Sequence, residues 1–347
     1  MKKTMIILAA ILMAGSQLSA QVVQENEAAV VYYMPKTTVT ITLNYEVIEE
    51  KPGIFYQYAE RYLGTENIIL EANKSYRLTD ASCATTTTAD TNRAYKVTSQ
   101  KGFNSQLLTL SADGRLLGYN VELEAEIGDR RSEIGDRIEE KGEEKLMPLL
   151  EEQFMAGSIA KMAEGAAKQI YRIRETRLNL LAGDVEHMPA DGKAMQLVLE
   201  ELTKQEQTLV ELFVGTRTIK ASQYTFCYHP NASVENEVVC RLSQHTGIVN
   251  KDDLSGEPIY LTLEAKTQSL QPIAEVNSKA PALSQLYYNL PGTAKICITH
   301  KSKVMTEAEI QVAQYGVAIP LALELFTGKT PIIRIHPKTG NVLSIQK

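Results

Sequence analysis

The chain has 347 residues, with 42 Asp and Glu against 36 Lys and Arg, and a formal charge of −6. That acidic balance, with no long basic stripe, excludes nucleic acid as a partner class, because neutralising phosphates needs clustered Lys and Arg. The length allows a sizeable core and more than one domain, and abundant Thr, Val, Ile and Tyr favour β structure.

At the N-terminus Lys2 and Lys3 precede the apolar run Met5 to Ala14 and the small-residue stretch Gly15-Ser16-Gln17-Leu18-Ser19-Ala20. These are the basic, apolar and cleavage regions of a secretory signal peptide. The apolar run falls well short of the roughly 20 residues of a membrane helix, and no later stretch is longer, so no transmembrane span is expected. Cleavage after Ala20 would leave 347 less 20, or 327, residues with a charge of −8, two below −6. The expected location is the periplasm or the outer-membrane surface, and with no cysteine near Ala20 the chain is not expected to be a lipoprotein. An oxidising compartment favours pairing of Cys83, Cys227, Cys240 and Cys297. Cys227 and Cys240 sit in strand-like runs joined by the loop Asn231 to Asn236, where a cross-strand bridge is expected; Cys83 with Cys297 would be the second.

In chain order, Val39, Ile41, Leu43, Tyr45 and Val47 alternate with polar residues, which predicts a strand over 30–50 with one buried face. Phe55 to Leu63 reads as a short helix ended by Gly64, and further strand-like pieces follow at Ile68 to Glu71 and Ala94 to Thr98. Asp113-Gly114 predicts a type I′ hairpin pairing Leu110 with Leu117 and Leu108 with Tyr119. From Glu124 to Lys145 the motif Glu126-Ile127-Gly128-Asp129-Arg130 recurs one heptad later at Glu133, with too much glycine for a stable helix. It reads as an exposed linker, with a partner-docking arm as the functional alternative.

Ser158 to Ala182 reads as a long helix, with Ile159, Met162, Ala166, Ile170, Ile173, Leu178 and Leu181 at near-helical spacing and Gly183 as the stop. A second helix is expected from an Asp191 cap through Phe213, with Val198, Leu202, Leu209 and Leu212 inward. Arg172, Arg174 and Arg177 would meet Glu200, Glu201 and Glu206 across this hairpin, or else form an anion site. Strands then follow at Thr216 to Tyr228, Glu237 to Leu242, Ile259 to Ala265, Leu286 to Leu290, Ala294 to His300 and Ile332 to His336. The last is expected to pair Ile333 and Ile335 with Ile345 and Leu343 across the turn Lys338-Thr339-Gly340.

The fold class is therefore α+β, two β-rich regions of sandwich or open-barrel type flanking an antiparallel helical hairpin. The expected partition is 1–20 signal peptide, 21–123 β-rich, 124–156 charged linker, 157–214 helical hairpin and 215–347 β-rich.

Several segments together resemble the domain of unknown function 4831 family, exported proteins of Bacteroides type. They are Tyr32-Tyr33-Met34-Pro35-Lys36-Thr37, Pro52-Gly53-Ile54-Phe55-Tyr56-Gln57-Tyr58-Ala59-Glu60, Ile170-Tyr171-Arg172-Ile173-Arg174-Glu175-Thr176-Arg177 with Ala182-Gly183-Asp184, and Gln314-Tyr315-Gly316 with Pro337-Lys338-Thr339-Gly340. The resemblance spans essentially the mature chain and implies export, with no catalytic residue to carry over.

Two chemical constellations stand out. Ser158-Ile159-Ala160-Lys161, Tyr287-Tyr288-Asn289 and Lys338-Thr339-Gly340 follow the order used by penicillin-recognising acyl-transferases, with Ser158 as nucleophile, Lys161 as base, and Asn289 and Lys338 as relay and carboxylate binder. Against it, the intervening chain is mostly strand rather than helix, and Lys338 falls in a turn. The second is a zinc site from Cys227, His229, Cys240 and His245; strand parity puts Cys240 and His245 on opposite faces, and a disulfide is preferred. His187, His300 and His336 lack partners at useful spacing. The tyrosine doublets at Tyr32 and Tyr287 could form a binding platform, though core packing accounts for them. No cofactor is implied. The reading is a non-enzymatic binding or structural protein of the cell envelope, with an envelope protein or glycan as partner, and a serine acyl-transferase as the alternative.

Overall fold

The computed structural model describes residues 29–99, 102–122, 149, 151, 155, 157–185, 192–266 and 285–347. The expected signal peptide, most of the expected linker with its heptad repeat, and the expected cap at Asp191 lie outside these residues.

The long strand β1 (Val30–Lys51) organises the molecule. It pairs antiparallel with β2 (Asn73–Val97) and, from Val39 onward, with β5 (Thr216–Tyr228) on its other edge. A second sheet has the order β10-β9-β8-β6-β7, built from β6 (Val234–Ser243), β7 (Gly247–Val249), β8 (Glu257–Ala265), β9 (Tyr287–His300) and β10 (Lys303–Pro320). A third, β12-β11-β4-β3, joins β3 (Leu108–Leu110) and β4 (Leu116–Tyr119) to β11 (Ile332–Ile335) and β12 (Val342–Gln346). The fold is thus α+β with a helical hairpin between β-rich stretches. The first and third sheets each take strands from both stretches, so strand pairing crosses the boundaries at 123 and 215. No helix among the described residues is long and apolar enough to cross a membrane.

The first two sheets face each other as a sandwich. Val39, Ile41 and Leu43 are fully buried against Ile259, Leu261, Leu263, Ile296 and Ile298, each such side chain contributing about 1.5 to 3 kcal/mol. The predicted alternation holds over this part of β1. Past Asn44, β2 inserts Thr79 as a bulge whose hydroxyl donates to the Asn44 carbonyl at 2.9 Å. Bulges increase local twist, and near the end of β1 the buried residue is Ile48 rather than Val47.

At the other end of β1 a second core holds Tyr32, Met34, Tyr95, Phe103, Tyr119 and Phe326. Tyr32 stacks on Tyr95 at 5.6 Å, and Tyr95 on Tyr287 at 5.4 Å. The Tyr32 hydroxyl donates to the Tyr287 carbonyl and accepts from its N–H, and burial pushes its pKa far above the ordinary tyrosine value. Tyr32 is therefore a core residue, and a binding platform there is ruled out by its complete burial.

The third core is helical. The short α1 (Ala59–Leu63) ends at Gly64 with φ 65°, as expected. In α2 (Ile159–Ala182) the Ser158 hydroxyl accepts the Lys161 N–H as an N-cap, and Gly183 (φ 77°) closes the helix; such caps are worth about 1 kcal/mol. Ala166, Ile170 and Ile173 pack with Leu209 and Phe213 of α3 (Gly192–Val214) on Phe55 and Ala59. Ile159, Leu178 and Leu181 belong to the same apolar spacing but are 60%, 65% and 64% exposed. Ile159 lies in the first turn of α2 and Leu178 and Leu181 in its last turns, on either side of the stretch Ala163 to Ile173 that packs in this core. Arg174 and Arg177 both meet Glu206, at 2.6 and 2.7 Å.

Two predicted hairpins differ in detail. Around Asp113, Leu108 pairs with Tyr119 as expected, but Leu110 pairs with Leu116. Only Gly114 has positive φ (85°), and its N–H donates to the Ser111 carbonyl. This is a three-residue loop, a turn followed by a left-handed glycine bulge, rather than type I′. Asp113 stabilises it by accepting from Ser111, Arg115 and the Ala89 N–H. At the C-terminus Ile333 pairs with Ile345 as expected, whereas Ile335 pairs with Val342 across a register shift; Lys338 and Thr339 lie in the turn and Gly340 has φ 75°.

Asp113→Ala is expected to lower stability by about 1 kcal/mol at neutral pH. Burial acts to raise this carboxyl, but the Ser111 hydroxyl and Arg115 outweigh it and hold it below the usual carboxylate range. A depressed folded pKa gives stability that is present above the unfolded value and lost as pH falls through the folded one. In urea titrations the wild-type advantage should therefore shrink below about pH 4; a constant advantage down to pH 2 would show that the carboxylate charge is not its source.

The expected disulfides are not formed: all four cysteines are free. Strand parity is the reason. Cys227 pairs with Thr40 on the outer face of β5, whereas Cys240 is buried inside the sandwich opposite Ile259. Cys83 lies opposite Ile41 and faces the core, while Cys297 lies opposite Thr262 and Glu307 on the outer face of β9. Burial pushes the thiols up, to about 11 for Cys83 and about 12 for Cys240. A maleimide should modify Cys227 first in the native protein, and four adducts should form after unfolding without reductant. Two adducts would reveal a bridge.

Candidate functional site

Pro35 and Pro291 both interrupt long strands, and proline lacks the N–H that a two-sided ladder needs. Each sits where one edge is free. β5 stops at Val39, so β1 is an edge strand at Pro35, and β8 pairs with β9 only from Ala294. Where these edges end, side chains take over. The Gln314 amide accepts the Thr37 N–H (2.8 Å) and donates to the carbonyls of Thr37 (2.8 Å) and Pro230 (2.9 Å). Gln314 is aimed there because residues 313–316 of β10 bulge out of register against β9.

Asn289 is fully buried beside this bulge. Its amide donates to the carbonyls of Ala313 (3.0 Å) and Thr339 (2.8 Å) and accepts from Arg93 Nη2 (2.8 Å); its backbone N–H donates to the Gly340 carbonyl. Arg93 reaches it from a second irregularity in β2, where residues 91–93 are skipped by the pairing of β1. The result is a satisfied polar knot joining the first two sheets to the C-terminal turn. Buried and fully bonded, it reads as a fastening rather than as a reactive centre.

The structure thus brings Asn289 and the Lys338-Thr339-Gly340 turn together, beside a shallow groove of about 240 Å³ lined by Lys338 and His336. Ser158 and Lys161 are elsewhere, on α2, which packs on α1 and α3. Ser158 is exposed and its hydroxyl is engaged as the helix cap. The zinc candidates also separate: Cys227 is outside the sandwich, Cys240 inside, His229 Nδ1 meets the Thr38 hydroxyl at 3.1 Å, and His245 is in the β6–β7 turn. Among the described residues no three His, Cys, Asp or Glu side chains are placed to hold a metal.

A concave cleft of about 670 Å³ lies at the end of the sandwich distant from the knot. One wall comes from the β1–β2 sheet, through Ile48, Ser75 and Tyr76; the other from the β6–β7 turn and the β9–β10 hairpin, through His245, His300 and Lys301. The walls are fixed to each other: the Tyr76 N–H donates to the Gln244 carbonyl at 3.0 Å, and the Tyr76 ring lies so close over Gly247 that a Cβ there would be 2.9 Å from it. His300 is buried, with Nδ1–H donating to the Pro258 carbonyl (3.3 Å) and Nε2 3.6 Å from Glu257, which also pairs with Lys301 at 2.7 Å.

Lys301 and Ser302 form the two-residue turn between β9 and β10, both left-handed (φ 50° and 61°). Such turns favour Asn and Gly, and each residue with a Cβ costs about 1 to 2 kcal/mol there. A lysine is therefore held at the cleft mouth against backbone preference, as strained residues at binding sites often are. No strand is expected over 303–320 from the sequence, so the cleft and the strand β10 that borders it are not foreseen. Its alternation, Ala308, Ile310 and Val312 against Glu307, Glu309 and Gln311, is present but rests partly on an alanine.

Residues 28–343 match the family model described as domain of unknown function (DUF4831). The chain belongs to the DUF4831 family. No curated protein and no solved structure matches it. The segments of this DUF4831 member that resembled the family converge at two places. Thr37, Gln314 and Gly340 meet at the polar knot, where a Cβ on Gly340 would touch Asn289 and Pro35. Gly53, Phe55, Ile170 and Tyr171 meet under the helical hairpin, where the Phe55 N–H donates to the Leu212 carbonyl and the Tyr171 hydroxyl to that of Tyr62. Both groups fasten elements together.

Proposed function

We propose that this DUF4831 member is an exported protein of the cell envelope that acts as a non-enzymatic binding or structural module, with the sandwich-end cleft as its binding site. The observation that carries the reading is the cleft itself: concave, braced from both sheets, and fitted with a lysine on strained backbone. Its volume lies in the range of about 300 to 1,000 Å³ of pockets that take small ligands. Export rests on the basic, apolar and small-residue regions of 1–20. Ser158, the nucleophile of the acyl-transferase alternative, serves as a helix cap on an element distant from Asn289.

Fractionation of cells producing the full chain should recover a form beginning at Gln21 outside the cytoplasm; retention of the uncut chain in the cytoplasm would overturn export. Crosslinking in intact cells should capture an envelope partner through residues at the cleft. Labelling by a fluorescent penicillin, lost in Ser158→Ala, would overturn the non-enzymatic reading.

A further inference from the structure

The lining of the cleft specifies what kind of ligand would occupy it. Its floor is aliphatic: Ile48, Leu78, Leu242 and Met305. Met305 points there because it is the extra residue of a β10 bulge, skipped between the pairs Val304–Thr299 and Thr306–Ile298. The rim is basic. Lys301 and Lys303 stand at the mouth with Arg77 behind them, His245 and His300 add two imidazoles, and the carboxylate in the lining is Glu257. Arg77 is matched by Glu46 and Lys301 by Glu257, while no carboxylate among the described residues pairs with Lys303.

A positive rim on a chain of formal charge −6 concentrates anions by local field, since screening confines each charge to about 8 to 10 Å. The aromatic surface is a single ring, Tyr76, and it is occupied in packing on Gly247. That leaves no free flat platform for stacking a neutral sugar.

We propose that the cleft binds an amphiphilic anion: an unbranched or ring-shaped apolar body on the Ile48–Met305 floor and a carboxylate, sulfate or phosphate head at Lys301 and Lys303. The proposal rests on the cleft being the binding site of this protein. Glu257 acts as a stand-in anion, holding Lys301 until a ligand head replaces it.

The test is calorimetry on the mature protein with sodium dodecanoate, with dodecyltrimethylammonium and dodecyl maltoside as probes of equal tail length, and with acetate and phosphate as heads alone. His245 and His300 ring signals in NMR report occupancy of the cleft itself. Dodecanoate should bind one per chain and move both rings, while the cationic probe and the isolated heads should not. The double variant Lys301→Gln/Lys303→Gln should lose about tenfold or more in affinity with an unchanged melting temperature, as expected for losing charged hydrogen bonds. Glu257→Gln should bind several-fold tighter, an effect that a merely structural Glu257 would not produce. Equal binding of all three head groups, or dodecanoate affinity unchanged in the lysine variant, overturns the proposal. If dodecyl maltoside or an oligosaccharide moves the two rings and dodecanoate does not, the cleft remains a binding site and only the anion assignment falls. If no probe moves them, the anion assignment falls, and the crosslinking experiment decides the broader reading.

Discussion

Gly316→Ala is expected to destabilise the protein by about 3 kcal/mol, at the upper end for overpacking. A Cβ at this position would lie 1.9 Å from the Leu290 carbonyl oxygen and 2.7 Å from Pro291 Cα, both of them backbone atoms. Neither can swing aside as a flexible side chain could, so β10 must move off β9. That motion also withdraws Gln314, two residues earlier, from Thr37 and Pro230. Gly64→Ala is the control. Gly64 has φ +65° but nothing within 4 Å, so only the left-handed backbone cost of about 1 to 2 kcal/mol applies. Urea unfolding should show the larger loss for Gly316→Ala; equal losses would mean that the bulge is not held by close backbone contact.

A comparable loss, about 4 kcal/mol, is expected for Asn289→Leu. The leucine is similar in size, yet at this fully buried position it leaves the Thr339 carbonyl and the half-buried Arg93 Nη2 without the Asn289 amide. Each orphaned buried group costs about 1 to 3 kcal/mol, and hydrogen bonds from a charged guanidinium are the stronger kind. Because Asn289 links β9 to the C-terminal turn, the variant should also speed amide hydrogen exchange in β11 and β12. Thr87→Val, which removes only an exposed hydroxyl bond to the Lys338 carbonyl, should change stability by about 0.5 kcal/mol or less. A thermal shift for Asn289→Leu as small as that of Thr87→Val would show that the knot contributes little.

These expectations separate what the chain discloses locally from what it does not. Period two from Val39 to Leu43 revealed the buried face of β1, and Gly64, Gly183 and Gly340 marked their stops, because each effect depends on a residue and its nearest neighbours in sequence. The same reasoning failed for cysteine pairing. Whether Cys227 faces Cys240 depends on which sheet each strand joins and on which face it turns to the core.

Family membership and the α+β class were also legible, since recurring segments and hydrophobic periodicity survive without coordinates. The knot and the cleft were not. Thr37 and Gln314 are 277 residues apart, and the bulges at 79, 91–93, 305 and 313–316 change parity in ways that only a partner strand can impose. Local patterning decided the kind of each element; pairing across long sequence distances decided where Lys301, Asn289 and Gln314 point. A side chain's neighbours across a sheet are set by register, and register is a property of two strands at once.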